Sequence, residues 1–228
     1  MRKELLIGLI ILIFIIGCQS STTTPDQKTD SNVVSDEISA EMDDDVRALL
    51  DKASTVKSIR YSYKRYEEDK PMKAVQIVIK GDKMKLILPV DTSKPTTDAT
   101  KYDTVYLDTG LKTSAAYCED VDGCANVDSI IPSEYKSYNE YTTNTPLGII
   151  NSIYGKVTKK QTAVFDNKQT VVIEFENKQG KIQRVWLWDF KGLALRSEIY
   201  NSDMETERRI EFNGLNVDNV KDSELSHI

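Results

Sequence analysis

The chain of 228 residues holds one histidine, His227, next to its last residue. Chain ends fray, so no Ser-His-Asp or Cys-His arrangement has a base to work with. Cysteine is scarce as well. There are only Cys18, Cys118 and Cys124, and with one terminal histidine they do not make a zinc site. No Walker-type or dinucleotide glycine motif is present. No cluster of Lys and Arg with interleaved aromatics stands out in a chain of net charge -6, which excludes nucleic acid as the expected partner. Acidic residues are plentiful, at 36, so paired carboxylates discriminate nothing. The reading is a protein that is not an enzyme and that uses neither cofactor nor metal.

Long apolar runs are also missing, save one. Arg2 and Lys3 precede an apolar stretch from Leu5 to Ile16 broken only by Gly8. A membrane-spanning helix needs about 20 residues. The run suits the apolar region of a secretory signal, residues 1–17, with a positive front end and a small residue before cleavage. Its last residues, Ile15-Ile16-Gly17-Cys18, resemble a lipobox. That resemblance implies cleavage before Cys18 and a lipid on its sulfur, with acyl chains such as palmitate at the new N-terminus. The alternative is an uncleaved helical anchor. Either places the body outside the cytoplasm, on the membrane. Residues 18–42 are polar, rich in Ser, Thr, Asp and Gln, and contain no aromatic residue. Such a segment buries too little apolar surface to offset its ordering entropy, and reads as a disordered tether.

Residues 43–228 suffice for one domain with a sizeable core. Cys118 and Cys124 bracket Glu-Asp-Val-Asp-Gly. In an oxidising compartment they are expected to form a disulfide closing a small loop. Free thiols are the alternative. A calcium loop is weaker, because the glutamate at its far end is absent.

Val46, Leu49, Leu50, Ala53 and Val56 make one helical stripe behind the acidic triplet Asp43–Asp45, which reads as an N-terminal cap. The period then becomes two. Strands are expected at Ile59–Lys64, Val75–Ile79, Met84–Leu88, Thr104–Leu107 and Lys112–Tyr117, with Lys80-Gly81-Asp82-Lys83 as a hairpin. Two helices should follow. Ser133 could cap the first, and Thr145-Pro146 opens the second, whose face is Leu147, Ile150, Ile153 and Tyr154 and which Gly155 can end. Five strands close the chain, near Val157–Phe165, Gln169–Phe175, Ile182–Trp188, Ala194–Tyr200 and Glu205–Phe212. Their turns are too short for crossovers, so they pair antiparallel. The class is α+β: a strongly curved antiparallel sheet, an unclosed barrel of about nine or ten strands, with a few helices as lid.

Arg184 to Asp218, with Trp186, Trp188, Asp189, Gly192, Leu193, Leu195, Phe212 and Asn213, resembles the outer-membrane lipoprotein carrier and receptor (LolA/LolB-like) superfamily. The chain departs from it at Ala194, where that family often has Pro, and at Ser202-Asp203, where it usually has Gly. The resemblance implies an open barrel that holds lipid or the acyl chains of a lipoprotein, with a place in their transport. The alternative is an envelope sensor or surface protein using the same fold to bind a protein partner. Candidate wall residues are Tyr61, Tyr63, Ile77, Met84, Leu86, Trp186, Trp188, Ile199 and Phe212. Leu147, Ile150 and Ile153 would form the lid. Ordinary core packing is the competing role for each.

Overall fold

The computed structural model describes residues 42–67, 70–89, 102–119, 130–131, 138–141 and 144–226. The expected signal region, Cys18, the expected tether up to residue 41, Cys124, Ser133 and His227 lie outside the described residues.

Helix α1, Asp44–Ser54, starts where the acidic triplet predicts. The Asp43 carboxylate caps it by accepting from the N–H of Asp45 at 2.9 Å, while Asp44 and Asp45 oppose the positive end of the helix dipole. Val46, Leu49 and Ala53 are buried, with Leu50 and Val56 packed partly against the same core. Val46 and Leu49 each contribute about 1.5–3 kcal/mol by burial. Met42, expected as the last tether residue, also packs on this core.

The strands are β1 Ser58–Glu67, β2 Lys70–Pro71, β3 Val75–Lys80, β4 Lys83–Ile87, β5 Thr104–Asp108, β6 Thr113–Tyr117, β7 Ile130–Ile131, β8 Thr158–Phe165, β9 Lys168–Glu176, β10 Ile182–Trp188, β11 Ala194–Tyr200 and β12 Thr206–Val217. Among the described residues they form one 12-stranded sheet in the order β7-β6-β5-β4-β3-β1-β12-β11-β10-β9-β8, with β2 paired to β1 alone. Every pairing is antiparallel. The sheet is curved and does not close.

The strand number exceeds the expected nine or ten because β2 and β7 have two residues each, too few to carry a period. Strand β12 also outruns its expected end. It passes Gly214, at φ 62, through a bulge where pairing shifts from Ser62↔Asn213 to Arg60↔Asn216. A glycine in the left-handed region accommodates such a bulge and sharpens local twist. Turn chemistry fixes the other hairpins. Asp166 and Asn167, at φ 48 and 57, join β8 to β9 as a two-residue turn, the conformation these side chains tolerate best.

Helix α2, Tyr138–Tyr141, is a single turn. Helix α3, Pro146–Ile150, is shorter than expected and ends before Gly155. Its start is as predicted: Thr145 accepts from the N–H of Gly148 at 2.9 Å. Its end comes early because the Ser152 hydroxyl donates back to the Ile149 carbonyl at 2.6 Å. The backbone there tightens to i→i+3 bonds, Ser152 to Ile149 and Ile153 to Ile150.

A feature outside the sequence reading closes the fold. The last segment folds over the outer face of the sheet as a 3-10 turn, Asp222–Leu225. Val220 and Leu225 there cover Val78 of β3, while Glu224 pairs with Arg60 and Asp222 with Lys80.

Candidate functional site

Alternation sorts each strand into two sets. On the inner face, cross-strand partners run Val105–Leu86–Ile77–Tyr61 from β5 to β1, and Leu107–Met84–Ile79–Ile59 beside them. Tyr63 then faces Phe212 of β12, and Val185 faces Ile173 on β10 and β9. These residues belong to a single apolar cluster. Helix α1 lies on it so closely that Gly192, in the β10–β11 turn, leaves no room for a side chain: an added Cβ would stand 1.9 Å from the Leu49 carbonyl oxygen. The Lys52 ammonium also donates to the Asp189 carbonyl at 2.9 Å. Helix α3 adds Ile149 and Ile150, with Ile153 just beyond its end.

The predicted wall and lid residues divide as follows. Tyr61, Ile77, Met84, Leu86, Ile150, Ile153 and Phe212 are buried together in the inner cluster, with Tyr63, Leu147 and Trp188 packed partly against it. Trp186 is elsewhere. On β10 the buried set is Gln183, Val185 and Leu187, which turns Trp186 to the outer face, where the Arg196 guanidinium lies 4.7 Å from its ring centre. Ile199 is buried but belongs to neither apolar cluster. It borders a cleft of about 420 Å³ with Arg65, Tyr66, Glu67, Gln179, Glu207 and Arg208. A second cleft, about 450 Å³, lies under the C-terminal turn between Lys80, Asp82, Lys83 and Asp222.

Tyr61 is the polar exception within the apolar row. Its ring meets Phe212 edge-on at 5.4 Å. Burial pushes its phenol well above the ordinary value of 10.0, and Tyr63 nearby adds to the rise. The group therefore stays a neutral donor under any physiological condition.

The outer face carries an array that sequence reasoning missed. Direct partners run Glu174–Arg184–Glu198–Arg209–Tyr66 across β9, β10, β11, β12 and β1, and beside them Val172–Trp186–Arg196–Glu211–Lys64. Arg184 donates to Glu174 at 2.9 Å, Arg196 and the Tyr200 hydroxyl both donate to Glu198, and Tyr66 donates to Glu211 at 2.9 Å. The Arg209 guanidinium lies 3.8 Å from the Tyr66 ring centre. Burial, followed by the bond to Glu198, pushes the Tyr200 phenol up to about 12. The charges oppose one another strand by strand, which locks register at about 0.2–1 kcal/mol per pair. Only the pairing register brings these residues into line, so the linear sequence carried no signal for them.

Among the described residues no group of three or more His, Cys, Asp or Glu is placed to hold a metal ion. Cys118, at the end of β6, is sealed from solvent.

Comparison with protein-family models and with curated proteins finds no match for the chain. Solved structures with a similar backbone include MucB, at 14% identity and a TM-score of 0.49, the match covering 81% of this chain and 62% of MucB. The complex of MucA and MucB from Pseudomonas aeruginosa matches at 12% identity and a TM-score of 0.46, over 81% of this chain and 60% of the other. LprF from Mycobacterium bovis matches at 10% identity and a TM-score of 0.42, over 76% and 93%. The chain thus spans about three fifths of the MucB chains it matches.

Proposed function

We propose that this chain is an extracytoplasmic lipoprotein, held to the membrane through lipid on Cys18 and a tether over residues 18–42, whose curved sheet takes up an acyl chain. Arg2, Lys3, the apolar run and Ile15-Ile16-Gly17-Cys18 support the anchor. One observation carries the binding role. Apart from the Tyr61 hydroxyl the inner face is apolar from β5 to β1, and the cluster it belongs to is capped on its β11 side by α3, a helix of five residues. So short a helix holds few backbone bonds of its own and depends on packing. Leu147, Ile149 and Ile150 are its contacts with the apolar cluster, so displacing them opens the cluster to a ligand. A Cys118–Cys124 disulfide fits the same compartment, and the burial of Cys118 supports it.

Native mass spectrometry of the full chain purified from its host tests this reading. An excess mass of a few hundred daltons that disappears on denaturation is expected. A chain that carries no such mass, and takes up no fluorescent fatty acid, overturns it. A co-purifying protein in place of lipid favours the sensor alternative.

A further inference from the structure

We propose that the Tyr61 hydroxyl is the polar anchor of the inner face, donating a hydrogen bond to the carbonyl oxygen of a long-chain fatty ester. The inference rests on the reading of that face as an acyl site, and adds which chemical class the site selects.

Tyr61 is 1% exposed, and its hydroxyl has no hydrogen-bond partner among the described residues. Other buried polar groups around the cluster are satisfied. Gln183 donates to the Ser197 hydroxyl at 2.9 Å, Tyr141 donates to the Tyr102 hydroxyl at 2.8 Å, and the Thr170 hydroxyl donates to the Ala163 carbonyl at 2.9 Å. A buried hydroxyl left unpaired is destabilising, and phenylalanine would keep the same edge-on contact with Phe212 without that penalty. A partner that arrives with the ligand removes the penalty at the moment of binding.

The surroundings narrow the partner's chemistry. The groups that face Tyr61 are Ile77 across the strand pair, Phe212 against its ring and Tyr63 beside it, none of them cationic, so a phosphate or a carboxylate would enter without a counter-charge from them, at high desolvation cost. A hydrocarbon enters freely but offers no acceptor. A neutral ester carbonyl satisfies the phenol and keeps its chain in the apolar row of Ile77, Leu86 and Val105.

The test compares methyl palmitate with heptadecane, each displacing a fluorescent acyl probe from the full chain and from its Tyr61→Phe variant. The wild-type chain should prefer the ester. Tyr61→Phe should weaken methyl palmitate about five- to tenfold and move heptadecane by less than about twofold. Equal binding of the ester to both proteins overturns the anchor while leaving the acyl site standing. Failure of both compounds to bind the wild-type chain overturns the acyl site itself. A second readout needs no variant: the carbonyl stretch of labelled methyl palmitate should fall in frequency on binding, and an unshifted stretch overturns the proposal.

Discussion

The carboxylate of Asp166 accepts a hydrogen bond from the backbone N–H of Gly214 at 2.7 Å. Asp166 sits in the β8–β9 turn, Gly214 in β12, and β10 and β11 lie between their strands. In a flat sheet β9 and β12 would stand about 14 Å apart. A single short side chain spans the gap because the sheet bends there and the β12 bulge brings its backbone forward.

Replacing Asp166 therefore tests the bend. Asp166→Asn keeps both an acceptor and tolerance for a positive φ, and should cost less than about 0.5 kcal/mol. Asp166→Ala loses both, and should cost about 2–3 kcal/mol. Urea midpoints of the two variants provide the comparison. Equal midpoints would show that the bond does not hold the curve.

Gly192 tests the seat of α1. Its φ is 69, and a Cβ there would overlap the Leu49 carbonyl. Gly192→Ala should destabilise the fold by at least about 3 kcal/mol, because helix and turn must part. Thermal melting reads this directly.

Leu147→Asp and Ile150→Asp test the roof. Each sets a charge on the face that α3 turns to the apolar cluster, and each should reduce uptake of a fluorescent fatty acid at least about tenfold. Leu147, being half-buried, is the more informative of the two, since its replacement disturbs folding less. Undiminished uptake by a folded Leu147→Asp variant would exclude α3 from the route.

Two carboxyl and phenol groups give a pH dependence of opposite sense. The N–H of Lys57, with a further contribution from Lys191, holds the Asp218 carboxyl below its ordinary 3.8. Its stabilisation is present above that value and is lost as pH falls through the lower folded value. Asp218→Asn should be less stable than wild type at neutral pH, with the gap closing in acid. Tyr200 moves the other way. Its folded value of about 12 lies above the ordinary 10.0, so its contribution is full below pH 10 and is lost as pH rises toward 12. Tyr200→Phe should be less stable than wild type at neutral pH, with the gap closing between pH 10 and 12.

Much of this architecture is legible in the residues. The stripe Val46-Leu49-Ala53 sets α1, and Asp166-Asn167 sets a hairpin whose turn geometry few other pairs adopt. The choice of inner face on β10 was not legible. A period of two yields two sets, Gln183-Val185-Leu187 and Arg184-Trp186, without saying which turns inward; Trp188, beyond the register shift at Trp186/Leu187, packs on the inner cluster. Aromatic weight favoured the second. The fold chose the first, because Gln183 finds Ser197 inside while Trp186 finds Arg196 outside. The outer rows of Glu and Arg needed the register of five strands, and the unpartnered Tyr61 hydroxyl needed the packed interior. Neither is a property of any local stretch.

The seating of β1 between β3 and β12 has a temporal consequence. Synthesis delivers β1 first and β12 late, yet the two halves of the described sheet join along that seam. An emerging chain waits with one edge of β1 uncovered until Asn213 and its neighbours arrive, so this non-local pairing forms slowly and is exposed to misassembly in the meantime.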